Sequence, residues 1–253
     1  AAPQQRNQRS QRRHIQHEAP LTNVQRLADD HPAVVTGRTR YLGRVEHPSP
    51  EASVLKSGQN NPKIGRRVVG GPWSGMPIFT LTLEERATCW SECRHWHDCY
   101  GNKMHWPARW THGLELEAKL DAELAALNDK HPEGFVVRLH VLGDFYSVAY
   151  VEKWKDWLTR YPALRVFGYT AYPPDHEIGH AVAALRESGW DRFAVRTSNA
   201  GLAKMGETTI NRKPEGDRVP EGIVCPAQTG KKECCATCGL CWQTTENIAF
   251  ILH

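Results

Sequence analysis

Residues 135–147 read FVVRLHVLGDFYS. Apolar side chains at Phe135, Val136, Val137, Leu139, Val141 and Leu142 predict a strand over 135–142 that is buried on both faces, as in a parallel sheet. The Gly143–Asp144 pair ends it in a tight turn. Ser147 can then cap a helix on which Val151, Trp154 and Leu158 share one side. Strand, turn and helix in that order are the beginning of a βα unit.

The same rhythm continues in both directions. Downstream, Leu164–Thr170 reads as a strand and residues 176–188 as a helix, with Ile178, Val182 and Leu185 on one stripe and Gly189 as its stop. Arg192–Ser198 and Asn247–Leu252 read as further strands. Upstream, Leu116, Leu120, Leu124 and Leu127 recur at helical spacing within 108–128, and Ile78–Leu83 reads as a strand. Alternation of this kind predicts an α/β fold with parallel strands. Periodicity does not distinguish an open sheet from a partial (β/α) barrel, but either form puts chemistry at the carboxyl ends of the strands.

The N-terminal part follows a different pattern. Residues 1–20 hold almost no apolar side chains and read as a flexible basic arm, in which Arg6, Arg9, Arg12 and Arg13 could contact nucleic acid or an acidic partner. Residues 21–76, interrupted by Pro32, Pro48, Pro50, Pro62, Gly70, Gly71 and Pro72, read as an irregular wrapping extension with short strands such as one around Arg67–Val69. Residues 77–253 form the α/β domain, with a Cys-rich segment at 225–241.

The 253 residues carry a net charge of +4, and residues 1–70 alone hold 12 Lys and Arg against 5 Asp and Glu. The basic character therefore belongs to the N-terminal part, which argues against a general nucleic-acid-binding surface on the folded body. No run approaches the about 18 apolar residues of a membrane span, so no membrane association is expected. The Arg- and Gln-rich start has no apolar segment of the kind a secretory leader carries.

The eight cysteines fall into two groups, at 89, 93 and 99 and at 225, 234, 235, 238 and 241. Tight grouping in a chain of this length points to metal in a reducing compartment, here the cytoplasm, and not to a disulfide scaffold. Cys89, Cys93 and Cys99, spaced C-x3-C-x5-C in the loop after the first strand, suit a [4Fe–4S] cluster with one iron left open. A Cys3His zinc completed by His95, His97 or His105 is the rival. In the second group Cys235, Cys238 and Cys241 make two successive C-x2-C steps, and Cys225 supplies a fourth thiolate. This pattern is closer to iron–sulfur ligation than to a zinc ribbon, with zinc as the alternative. Cys234 and Cys235 point apart in an extended chain, and regular spacing favours Cys235 as the ligand.

Gly143 and Asp144 follow the second strand, beside the first cysteine loop, where a Gly–acid turn can approach a ligand's amino group. The competing role for Asp144 is that of a turn residue. His140, inside the strand, reads as a core histidine.

A three-cysteine loop after the first strand, then a helix, then a strand ending in Gly–acid, resembles the radical SAM enzymes. The stretches LTLEERATC, DCYGN, RLHVLGDFYS and CPAQTGKK…CATCGLCW are similar to a sparsely characterised phage and bacterial family of radical-SAM-like proteins, over residues 55–250. The resemblance implies a partial (β/α) barrel and an enzyme that reductively cleaves S-adenosylmethionine to start radical chemistry. By the same resemblance Cys89, Cys93 and Cys99 hold the reactive cluster, and Gly143 with Asp144 form the turn that binds the methionine moiety. An electron donor and an unidentified substrate are the implied partners. The chain departs from the superfamily pattern in its five-residue last gap and in having one glycine at the turn. The alternative class is an iron–sulfur or zinc protein that binds nucleic acid through the basic arm, without SAM chemistry.

Overall fold

The computed structural model describes residues 24–198, 207–210 and 222–250. The basic arm, residues 1–20, lies outside the described residues. In chain order the elements are α1 (Pro32–Val35), β1 (Val45–Glu46), β2 (Lys56–Ser57), β3 (Ile78–Thr80), β4 (Arg109–Trp110), α2 (Leu114–Lys130), β5 (Phe135–Leu139) and α3 (Val148–Arg160). They continue with β6 (Leu164–Thr170), α4 (Glu177–Ser188), β7 (Phe193–Ser198), β8 (Glu207–Ile210), β9 (Ile223–Val224), α5 (Cys235–Cys238), α6 (Leu240–Gln243) and β10 (Ile248–Phe250).

One eight-stranded sheet runs β2-β3-β5-β6-β7-β8-β10-β9. All its pairings are parallel except the antiparallel edge pair β2–β3. β1 and β4 form a separate parallel pair. The protein is thus a mixed α/β fold with a parallel-rich central sheet. From β3 to β8 the main-sheet strands are neighbours in chain order, and right-handed crossovers then carry the intervening helices to one face.

Alternation along the strands confirms that division. Val137 and Leu139 of β5, Val166 of β6, and Phe193 and Val195 of β7 join Leu116, Leu120 and Leu124 of α2, Val151 and Trp154 of α3, and Val182 of α4 in one buried core. Val136, Phe167, Ala194 and Ile248 point the other way, into a second core with Ile64, Trp73, Cys241 and Trp242. α2, α3 and α4 therefore cover one face, while the Cys-rich segment, with α5 and α6, and residues 64–76 cover the other.

The capping chemistry agrees with the sequence. Ser147 accepts a hydrogen bond from the Tyr150 N–H at the start of α3. At Gly168 an added Cβ would fall on the Leu139 carbonyl oxygen of the neighbouring strand, so only glycine allows β5 and β6 to approach as they do.

The structure also differs from the sequence-based expectations. β5 ends at Leu139, short of residue 142, because Val141 leaves the β6 ladder and donates instead to the Leu81 carbonyl. β3 is shorter than the stretch 78–83, because Leu83 is drawn away to bond the Leu142 carbonyl. β8 and β9, too short to show a period, were not expected.

Thr39 and Arg38 reach the start of the first cysteine loop: Arg38 makes two hydrogen bonds to Glu84, at 2.6 and 3.0 Å, and Thr39 donates its hydroxyl to Glu85 at 2.7 Å. No helix among the described residues is long and apolar enough to cross a membrane.

Candidate functional site

The loop after β3 carries Cys89, Cys93 and Cys99 to the carboxyl ends of β3 and β5. Thr88 fixes it against the next turn, donating its hydroxyl to the Glu84 carbonyl at 2.9 Å and accepting from the Asp144 N–H at 3.1 Å. Buried Glu85 forms a two-pronged pair with fully buried Arg109, at 2.6 and 3.1 Å, and closes the base of the loop.

All three thiols are free and partly buried. Burial raises each of them above the ordinary thiol range. Cys89 is pushed further by the negative fields of Asp144, Cys99 and Cys93, and Cys99 is pushed up to about 11, with Glu85 and Cys93 adding to burial. Cys93 also feels Asp144 after burial. A backbone hydrogen bond opposes each shift, at Arg86 for Cys89, at His95 for Cys93 and at Gly101 for Cys99. The three sulfurs and Asp144 thus share one electrostatic neighbourhood. Their thiols hold protons until a cation displaces them.

Arg86 is the residue here that periodicity could not reveal. It adopts the left-handed conformation at φ 70°, is buried, and stacks 5.1 Å from the Trp96 ring. It donates to the Trp96 carbonyl at 2.8 Å, and the Cys99 thiolate would be its attractive neighbour.

Gly143 lies at φ 81°, and an added Cβ would meet Leu83 Cβ and Thr88 Oγ1 at 2.6 Å each. Asp144 is buried, and its carboxylate accepts from the Phe145 N–H at 2.8 Å and from the Ala171 N–H at 2.7 Å. Burial, the largest effect, raises its pKa to about 7 against these hydrogen bonds. The carboxylate therefore serves as the turn residue that joins β5 to the end of β6. His140 is buried and neutral, its pKa lowered to about 3 by burial and then by Arg138, with Nε2 at 3.3 Å from the Tyr150 hydroxyl.

A cleft of about 530 Å³ opens beside this loop, and Trp90, Cys93, Ala171, His176 and Ser198 are among its walls. Cys93 is the one cysteine that lines it, and neither Gly143 nor Asp144 reaches it. His95 pairs with Asp98 at 3.1 Å, and the His105 ring packs 4.3 Å from that of Trp106.

The second cysteine group lies on the sheet face opposite the helices. Cys225, Cys235, Cys238 and Cys241 line one small internal pocket with Leu240 and Trp242. Backbone hydrogen bonds hold the segment in place: Cys225 N–H to Ala249 O at 2.9 Å, Cys235 N–H to Lys63 O at 2.9 Å and Ala236 N–H to Ile64 O at 2.8 Å. Gly239, at φ 68°, turns the chain between α5 and α6. Cys234 faces elsewhere: its sulfur lies 3.8 Å from the Thr237 hydroxyl and packs where a Cβ on Gly65 would be. Burial pushes Cys235 up to about 12, with the field of Cys241 adding to it.

Three strand residues serve this group. Arg138, Tyr169 and Arg196 project from β5, β6 and β7 toward it. The Tyr169 hydroxyl lies 2.7 Å from the Cys241 sulfur, and Arg196 donates to the carbonyls of Cys241 at 2.9 Å and Glu246 at 2.8 Å. An arginine inside an apolar strand run, as in FVVRL and FAVRTS, was the sequence signal for two of them.

Among the described residues no group of three or more His, Cys, Asp or Glu side chains is arranged to hold a single metal ion.

No curated protein and no solved structure matches the chain. Residues 76–244, which span the cysteine loop, the Gly–Asp turn, the parallel strands and the second cysteine group, match the family described as gene product 88. A match over well over half of the chain, taking in both cysteine groups, means that the chain belongs to the gene product 88 family, a phage-type family.

Proposed function

We propose that this protein is an iron–sulfur enzyme of radical SAM type built on a partial (β/α) barrel. In this reading Cys89, Cys93 and Cys99 hold a [4Fe–4S] cluster through three thiolates, and Cys225, Cys235, Cys238 and Cys241 hold a second through four. The observation that carries the reading is the loop of three free thiols held against the Gly143–Asp144 turn, where the Asp144 N–H donates to Thr88 beside Cys89, at the carboxyl ends of the first two parallel strands of the domain. The donor sets fit. Each group is all-thiol and free of disulfides, and the second lines a mostly apolar pocket.

Cys89, Cys93 and Cys99 would hold a cluster that, given an electron from a donor, would supply reductive cleavage of a bound S-adenosylmethionine at its sulfonium C–S bond and so start radical chemistry on a substrate. The chain's own residues prepare the place for it. Thr88 locks the cysteine loop to the turn, Glu85 and Arg109 hold the loop's base, and Arg86 brings a positive charge to Cys99. The cleft walled by Trp90, Cys93, Ala171 and His176 offers room for cosubstrate and substrate beside the first group. Asp144 acts through the geometry of the turn, since both its oxygens already accept backbone N–H groups.

Anaerobic reconstitution with iron and sulfide, followed by reduction with S-adenosylmethionine present, tests the proposal. Brown protein that releases methionine and 5′-deoxyadenosine supports it. Colourless protein carrying two zinc ions, or brown protein that leaves S-adenosylmethionine intact, overturns it.

A further inference from the structure

The face of the sheet that carries the second cysteine group also carries a row of polar residues no metal site requires. Arg138 is in register with Phe167, and Tyr169 with Arg196, so the row crosses three adjacent strands. The Arg138 guanidinium lies 4.7 Å from the centre of the Tyr169 ring and 5.5 Å from that of Phe167. The Tyr169 hydroxyl lies 2.7 Å from the Cys241 sulfur. At its other side Arg138 is on the strand that runs into the Gly143–Asp144 turn, and the Tyr100 hydroxyl, one residue after Cys99, bonds the Val141 carbonyl of that same segment. The positive field of Arg138 is felt by Asp144 near the first group and by Cys235 and Cys241 in the second.

We propose that Tyr169 and Arg138 are positioning residues of the second cysteine group: Tyr169 donates its hydroxyl to the Cys241 sulfur, and Arg138, stacked on the Tyr169 ring, supplies a positive charge beside it. A hydrogen bond to a ligating sulfur and a nearby cation both favour the more negative, reduced form of an iron–sulfur centre, so each raises its potential. The inference rests on the two-cluster reading, and it adds two residues besides the cysteines that set the potential of the second centre.

The test is a potentiometric titration followed by electron paramagnetic resonance on the full chain, reconstituted anaerobically with ferrous iron and sulfide. Tyr169→Phe is expected to move the second centre to a more negative midpoint and leave the first where it was. Arg138→Gln is expected to move the second centre downward as well, and Arg138→Lys to restore it. Arg138→Met, which fills the same volume, replaces Arg138→Gln if that variant does not fold. Unmoved midpoints at wild-type iron and sulfide content overturn the inference, as does an equal displacement of both centres in Tyr169→Phe. If the wild-type protein takes up no iron and sulfide, the two-cluster reading has failed. Cobalt(II) loaded at the second group then tests Tyr169 alone: a displaced thiolate-to-cobalt absorption band in Tyr169→Phe supports the contact, and an undisplaced band overturns it.

Discussion

The Asp144 carboxylate accepts the backbone N–H of Ala171 at 2.7 Å, joining the turn after β5 to the first residue beyond β6. Two neighbouring parallel strands are thereby clamped at their carboxyl ends, where the first cysteine loop also arrives. The clamp depends on Gly143, whose positive φ sends the chain back under Thr88.

Gly143→Ala should destabilise the fold by about 3 kcal/mol. The left-handed backbone contributes roughly 1–2 kcal/mol and overpacking against Leu83 and Thr88 a similar amount. Urea denaturation against the wild type measures it, and a loss below about 1 kcal/mol would show that the turn tolerates a side chain.

Asp144 has a folded pKa of about 7, above its ordinary 3.8, so the folded state binds its proton more tightly than the unfolded one. The stability this gives is complete below pH 3.8 and disappears as pH rises toward 7. His140 works in the opposite window. Its folded value of about 3 lies below the ordinary 6.5, so its contribution is present above pH 6.5 and is lost as pH falls toward 3. Thermal melts across pH 3–8 should show a shallower alkaline decline in Asp144→Asn and a shallower acid decline in His140→Phe. Curves parallel to the wild type would contradict the assignment.

Arg109 and Glu85 form a buried pair with almost no exposure, 0% and 2%. Arg109→Met strands the carboxylate and should cost about 3–5 kcal/mol, whereas Arg109→Met with Glu85→Leu should recover part of that loss. A double-mutant cycle by denaturant unfolding separates the two effects.

Cys234 and Cys235 are adjacent in sequence yet face different surroundings. Cys234→Ala should leave the metal content of the second group unchanged, while Cys235→Ala should lower its metal affinity at least tenfold. Metal analysis after anaerobic loading decides between them. Equal losses in both variants would mean that Cys234 shares the ligation.

Much of the scaffold was legible because its signals are local. The Leu116, Leu120 and Leu124 stripe is fully buried on α2, and the Ser147 cap and the β6 boundaries fall where the residues indicated. What stayed hidden was non-local. β8 and β9 are defined by pairing with β10, which no window of sequence contains. The Asp144–Ala171 clamp, the left-handed Arg86 and the Tyr169–Cys241 contact each join residues whose proximity depends on register. Arg138 and Arg196 did leave a trace, as charges inside apolar strands, but their partners could be named only once the strands were aligned.

β10 inserts between β8 and β9, so its two neighbours are joined only when residues 248–250 arrive. During synthesis the N-terminal strands can therefore assemble while the far side of the sheet still waits for its last piece. That piece follows the four thiols of the second group directly, and the Cys225 N–H is held by the Ala249 carbonyl. The far edge of the sheet and the cysteine pocket are thus tied to the same three residues.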